Sequence, residues 1–386
     1  MSTLEPTRRP GALARGVLAA ALALAAGCAP AVRVAAPSTV QATAPSSSRV
    51  TSVFPGAEWE RVASPESAGW SRAGLDSVRA RLARLPTTAM VAVVGGRVLT
   101  EHGDPAAVSY LASVRKSVLS MLFGRYVADG AVGLDRTLAE MGIDDVGGLT
   151  DAEKQATVRH LLSARSGVYH PASNPGDNLA DAPPRGSQRP GAYYLYSNWD
   201  FNALGTVFER ATGRNVYDAL ESDLARPLGM QDFQRSAQEK SGDAALSVHP
   251  AYHMNLSTRD MARLGLLMLR EGRWGGAQLV PRDWVRESTR PVTRSREMNP
   301  ASLRDGPFGY GYLWWVFDPA ETGPAYRGGY AALGAYGQFI VVLPELDLVV
   351  AHKTRPGQGR QVSIREFLEV LDVLVKARCG EGCGAM

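Results

Sequence analysis

The chain has 386 residues, of which 45% are hydrophobic, 21% charged and 8% aromatic, a balance that excludes a disordered or fibrous protein. The net charge is only +4, and no Lys/Arg run stands behind it, so nucleic acid is not an implied partner. Three cysteines exclude a disulfide scaffold and a Cys-based zinc cluster, and no interior run of about 18 apolar residues is present to cross a membrane.

Arg8, Arg9 and Arg15 precede an apolar stretch over residues 16–26 that ends at Ala25-Ala26-Gly27-Cys28. A basic start, a short apolar core and small residues before a break predict a secretory signal over residues 1–28. A Cys directly after small residues resembles a bacterial lipobox, with Cys28 as the lipidated first residue of the mature chain. Ala25 departs from that motif, which more often has Leu there, and an ordinary cleaved signal is the alternative. The expected location is the cell envelope facing the periplasm, with membrane contact through the lipid alone. Residues 29–57, rich in Ala, Pro, Ser and Thr, read as a flexible tether. In an oxidising compartment Cys379 and Cys383 fit a small-loop disulfide in the 379–386 tail, and two free thiols are the alternative.

The body runs over residues 58–378. Leu75, Val78, Leu82 and Leu85 recur at helical spacing and predict an amphipathic surface helix over 71–85. Met90–Val94 and Arg97–Leu99 flank Gly95-Gly96 and predict a hairpin. Helices follow over 113–127, 200–212 and 257–271, the last opening with a Ser257-x-x-Asp260 capping box. A Pro- and Gly-rich loop spans 167–191, a length that is often functional. Strand character returns as a single run at 310–317, then at 338–343 and 346–351 around Pro344-Glu345, and a helix over 362–377 closes the chain. Strands at both ends with helices between them predict an α+β fold: one antiparallel sheet fed by both termini, flanked by helices, with a mostly helical subdomain inserted at about 125–300.

The common hydrolase and phosphate-loop signatures, Gly-x-Ser-x-Gly, His-Glu-x-x-His and Gly-x4-Gly-Lys, are absent. His249 and His253 have helical ligand spacing, but Pro250 argues against a helix there, so no metal or other cofactor is expected. One tetrapeptide stands out, Ser113-Val114-Arg115-Lys116, at the start of an apolar-periodic helix. Residues three apart share a helix face, so Lys116 can reach Ser113. The positive end of the helix and burial both lower the affinity of Lys116 for a proton, and the Ser113 N–H points where an acyl oxyanion forms. A Ser N-cap followed by a solvated Lys is the bland alternative. Two further segments add chemistry: Tyr194-Leu195-Tyr196-Ser197-Asn198, with a phenol to shuttle protons and an amide to donate, and Ala332-Leu333-Gly334-Ala335, a Gly-containing strand that permits close backbone approach.

In this order the three segments resemble the serine β-lactamase and penicillin-binding-protein superfamily, in the branch of class C-type β-lactamase-related esterases and 6-aminohexanoate-oligomer hydrolases. The likeness covers about residues 58–377 and includes Arg159-His160-Leu161-Leu162, Ser166-Gly167, Ser257–Arg263 and Gly309–Trp315. It implies a β-lactamase/transpeptidase-like fold, Ser113 as acylated nucleophile, Lys116 as its base and Tyr196 as the proton donor to the leaving group. It also implies Gly334 and Ala335 on the third motif, with the Ala335 N–H as second oxyanion donor; Arg327-Gly328-Gly329 is a rival for that motif. Tyr169 resembles a mobile loop Tyr that closes over substrate. Ala332 departs from the Lys or His usual in the third motif, so a substrate carboxylate loses its receiving cation. The resemblance therefore implies cleavage of a small ester or amide, with β-lactamase, D-alanyl carboxypeptidase or a slowly turning-over penicillin sensor as alternatives.

Overall fold

A computed structural model describes residues 53–357 and 359–378. Cys28, Cys379, Cys383, the proposed signal and most of the proposed tether lie outside the described residues. The elements that place the site are α1 (Arg72–Leu82), β1 (Ala89–Val94), β2 (Arg97–Gly103), α2 (Val114–Ala128), α3 (Asn198–Thr212), α4 (Thr258–Leu269), β3 (Phe308–Tyr310), β4 (Trp315–Phe317), β5 (Tyr330–Gly334), β6 (Gln338–Leu343), β7 (Leu348–Lys353) and α5 (Ile364–Lys376).

The seven strands form one antiparallel sheet in the order β2-β1-β7-β6-β5-β4-β3. Strands from the two ends of the described chain meet where β1 pairs with β7, Val91 opposite Ala351. This is the expected α+β architecture, with the helical segments inserted between β2 and β3. Every residue of β1, β6 and β7 is buried, because helices cover both faces. Met90, Ala92, Val341, Leu343 and Val350 pack with Leu75 and Val78 of α1 and Phe367, Leu371 and Leu374 of α5. Val91, Val93, Ile340, Val342, Val349 and Ala351 point the other way, toward α2 and α4. The period-two side-chain alternation of a strand thus divides two cores.

Three expectations change. The run at 310–317 is a hairpin, not one strand: Leu313 has φ +63°, and Trp315 of β4 pairs back onto Tyr310 of β3. The helix carrying Ser113-x-x-Lys116 is central and buried at every position from Val114 to Gly124, so its periodicity does not mark a wet face. The Ser257 hydroxyl accepts the Asp260 N–H as a cap, but the Asp260 carboxylate leaves the box and accepts the N–H groups of Gln231 and Asp232. At Pro250, by contrast, the expectation holds, since no helix joins His249 to His253: His253 lies on a short strand, Ala251–His253, its Nδ1 faces the Tyr110 hydroxyl, His249 Nδ1 faces Thr206 Oγ1, and neither belongs to a metal-binding cluster among the described residues.

Candidate active site

Ser113 stands at the turn from the two-residue strand Ser109–Tyr110 into α2. The turn is made by Ala112, which holds φ +48°, a left-handed conformation that is uncommon and mildly strained for a residue with a Cβ. The Ser113 side chain makes no capping hydrogen bond, so its Oγ remains free for another partner. That partner is Lys116, whose Nζ lies 3.0 Å from Ser113 Oγ. Lys116 is 2% exposed. An N-cap serine followed by a solvated lysine therefore does not describe this tetrapeptide.

The same amine is 2.7 Å from the Tyr196 hydroxyl and 2.7 Å from Asn198 Oδ1. It lies 4.2 Å from the centre of the Tyr196 ring and 4.4 Å from that of Phe201. Burial, then the neighbouring Arg115 charge, push the Lys116 amine well below the usual lysine range, against a smaller opposite pull from Asp177. Burial pushes the Tyr196 hydroxyl up to about 12, opposed by its hydrogen bond to Ser113 and the charge of Arg115. Both shifts favour neutral groups: an amine able to take a proton beside a phenol that still holds one.

Tyr196 is fixed by aromatic neighbours. Its ring stacks on Trp315 at 5.6 Å and 29°, and Phe201 and Tyr310 close two other sides at 4.8 and 6.1 Å. Asn198 does not offer its amide to a ligand, as the sequence suggested. Its Oδ1 accepts from Lys116, its Nδ2 donates to the Pro175 carbonyl at 2.9 Å, and its backbone N–H donates to Asp177. Asn198 ties the Lys116 amine to the 167–191 loop. Asn178 N–H donates to the Tyr196 carbonyl, so that loop braces the phenol from both flanks.

β5 runs beside the start of α2. A Cβ placed on Gly334 would sit 2.7 Å from the Leu111 carbonyl and 3.1 Å from the N–H nitrogens of Ser113 and Val114. Gly334 thus brings the strand end bearing Ala335 against Ser113. A Cβ on Gly329 would instead meet Leu343 and Phe317, so Arg327-Gly328-Gly329 is at the opposite end of β5. Ala332 is fully buried in the core shared with α2 and presents no polar group. Tyr169 is also buried, 8% exposed, with its hydroxyl lacking a hydrogen-bond partner. Burial raises its hydroxyl above the usual range, as does the Asp200 charge. Its surroundings are those of a packed loop residue, not of a side chain standing free over a cleft.

The remaining recurrent segments hold this arrangement. Ser117 and Ser120 of α2 donate to the carbonyls of Leu313 and Tyr312 at 2.6 and 2.7 Å, fastening the helix to the β3–β4 turn. Arg159 donates to the Tyr312 hydroxyl and to Glu287, and Leu313 N–H donates to the Leu162 carbonyl. Ser166 donates to the buried Asp200, whose carboxyl is raised by burial, and accepts from Val168 N–H. Sequence reasoning did not find Trp315, Tyr310 and Phe201 as the cage of Tyr196, or Asp177 and Arg115 as its charged neighbours. An aromatic in a strand or helix reads as core, and no local spacing marks it as lining a site.

Comparison with known proteins identifies the family and the fold. The sequence profile of the family described as Beta-lactamase matches residues 76–359. Esterase EstB of Burkholderia gladioli is 31% identical over 147 residues, 32% of this chain and 37% of that protein. Monacolin J acid methylbutanoyltransferase of Aspergillus terreus is 29% identical over 161 residues, 34% of this chain and 38% of that protein. The chain thus spans well under half the length of these curated relatives. Among solved structures, a penicillin-binding-protein homologue from Caulobacter crescentus superposes with a TM-score of 0.61 at 16% identity, covering 83% of this chain and 99% of that one, which is a likeness of fold.

Proposed function

The chain belongs to the beta-lactamase family, and from that membership we propose that it is a serine hydrolase cleaving an ester or amide bond through an acyl-enzyme on Ser113. The observation that carries the reading is the buried Lys116 amine, within hydrogen-bond reach of the Ser113 hydroxyl on one side and the Tyr196 phenol on the other. EstB is named an esterase and the Aspergillus protein a methylbutanoyltransferase, and both names support acyl chemistry.

Ser113 Oγ attacks the substrate carbonyl as its proton passes to Lys116 Nζ. The oxyanion forms toward the N–H groups of Ser113 and Ala335, which Gly334 brings together. The proton then travels through the Tyr196 hydroxyl to the leaving oxygen or nitrogen, which departs as alcohol or amine. Water gives one proton to the same pair and attacks the acyl carbon. Ser113 leaves with a proton, and the carboxylic acid is released.

The buried Ala332 weighs against substrates recognised by a carboxylate, as β-lactams and D-Ala-terminated peptides are. Ester or short amide substrates fit the site better. The basic and apolar start ending at Cys28 supports a further proposal, that the enzyme is exported and held on the envelope by a lipid. The test is a panel of p-nitrophenyl esters, short linear amides, D-amino-acid amides and nitrocefin. Wild type is expected to hydrolyse esters or amides far better than nitrocefin. Ser113→Ala is expected to lose all turnover with an unchanged melting temperature. An active Ser113→Ala protein would remove the nucleophile from this reading.

A further inference from the structure

The chemistry above leaves Arg115 without a task. It lies on α2 directly before Lys116 and is 2% exposed. A buried guanidinium is ordinarily paired with a carboxylate, because an unpaired buried charge is costly. Here Nη2 donates to the neutral Asn202 Oδ1 at 3.0 Å, the guanidinium covers the Tyr252 ring at 4.2 Å, and Nη1 has no hydrogen-bond partner. Among the described residues no ion pair involves Arg115. Unlike a buried lysine or histidine, arginine cannot relieve its burial by releasing a proton. A permanent positive charge is thus fixed inside the protein, one residue from the proposed base.

We propose that Arg115 is a positioning residue: its buried guanidinium, held by Asn202 and Tyr252 and paired with no carboxylate, is a fixed charge beside the Ser113, Lys116 and Tyr196 cluster that directs the Ser113 proton onto the Lys116 amine. The inference rests on the reading of Ser113 and Lys116 just given. Consecutive helix residues do not face one another, so Arg115 acts across space and leaves the contacts of Lys116 intact. The charged and titratable groups facing Lys116 are Tyr196 ahead of α3, Asp177 from the 167–191 loop and Arg115 from its own helix. Asp177 pulls toward the protonated amine, and Arg115 opposes it. Around Arg115 stand Tyr110, Tyr217, Tyr252 and His253, all biased by its charge toward losing a proton, with Glu239 acting on His253 in the other direction. The same charge favours the phenolate of Tyr196 in transit. With a buried Ala at the strand position where the family often has a cation, Arg115 is the fixed cation next to the reacting groups.

The test uses the full chain and two readouts against pH: kcat/KM for p-nitrophenyl butyrate, and the rate at which a fluorophosphonate labels Ser113. Activity needs Lys116 unprotonated, so both fall on the acid side. Arg115→Met is expected to move that acid limb upward by about one pH unit or more, while the plateau above it stays within several-fold of wild type. A lowered plateau with an unmoved limb in Arg115→Met would make Arg115 a packing residue and overturn the proposal. Should Arg115→Met fail to fold, Asn202→Asp sets a carboxylate against the guanidinium. It is expected to raise the limb, whereas Asn202→Leu is not, and equal limbs in the two overturn the proposal. Absence of label on wild-type Ser113 would defeat the hydrolase reading and this inference together. Normal labelling with unmoved limbs would defeat this inference alone.

Discussion

An amine between a hydroxyl and a phenol is a base only while it is unprotonated, and in water a lysine near neutral pH is not. The protein solves this with burial and a like charge at Lys116. Burial alone would disfavour charge on every group of the site equally. The Lys116 amine is pushed down while the Tyr196 phenol is pushed up, which suits the amine as proton acceptor and the phenol as donor in the proposed mechanism. The acid limb of kcat/KM is therefore expected well below the ordinary lysine range, with activity retained near neutral pH. Lys116→Arg replaces that amine by a cation that cannot deprotonate, and a loss of about 10²–10⁴-fold in kcat/KM is expected, with no recovery at alkaline pH. A Lys116→Arg enzyme that regained activity as pH rose would show that some other group takes the Ser113 proton.

At the scale of elements, the site is the meeting of α2 with β5 and the segment ahead of α3, and its tolerances are set by glycine. Gly334 lets β5 approach the backbone of Leu111 and Ser113 more closely than any side chain allows. Gly334→Ala is expected to push the Ala335 N–H away from the oxyanion position and lower kcat about 10²-fold or more, with the fold retained. Gly265 of α4 gives the contrasting case. A Cβ there would overlap Val349 and Ile340 of the sheet, remote from Ser113, so Gly265→Ala is expected to lower the melting temperature while the folded enzyme keeps its kcat. Equal effects of the two on kcat and on melting would deny that Gly334 has a catalytic reason. The fold was legible in the sequence because apolar runs at both ends and capped helices between them are local patterns with one physical meaning each. The pairing of Ser113 with Lys116 was legible for the same reason, since one helical turn joins them. Tyr196, 80 residues away, stood out as a phenol ahead of a helix, but its assignment to the Ser113–Lys116 pair came from resemblance to a known family. The β3–β4 hairpin was missed because its turn uses Leu313 at positive φ instead of Gly or Asn, so eight largely aromatic and apolar residues read as one strand. Arg115 was passed over because a charge in a helix ordinarily reads as a wet face, and only the packed structure shows that it has none.

For the molecule as a whole, the question is how a seven-stranded sheet fixes Ser113, which lies outside it. Lys353, at the end of β7, is 1% exposed, and its Nζ donates to the carbonyls of Ser109 and Leu256 at 2.7 and 2.6 Å. Those residues belong to the short pair Ser109–Tyr110 and Asn255–Leu256, which leads into Ser113 on one side and α4 on the other. The sheet is thus pinned to the turn before Ser113 through one amine. Burial lowers that amine to about 7. A neutral amine has two N–H groups, which match the two carbonyls, so deprotonation does not break the pin. Because the folded amine binds its proton less tightly than the unfolded one, the unfolded chain carries more protons between pH 7 and the ordinary lysine range. Stability then rises with pH across that window, by at most about 1.4 kcal/mol per pH unit for this group, and the penalty of a buried charge is fully present below pH 7. Lys353→Met removes both the titration and the pin. Relative to Lys353→Met, wild type is expected to gain stability steadily from pH 7 to 10 in urea unfolding, and the variant is expected to lose kcat at every pH as Ser113 shifts from its partners. Unfolding curves that keep a constant separation across that range would mean Lys353 does not titrate there. Full activity in the variant would mean that the sheet does not set the position of Ser113 through this residue.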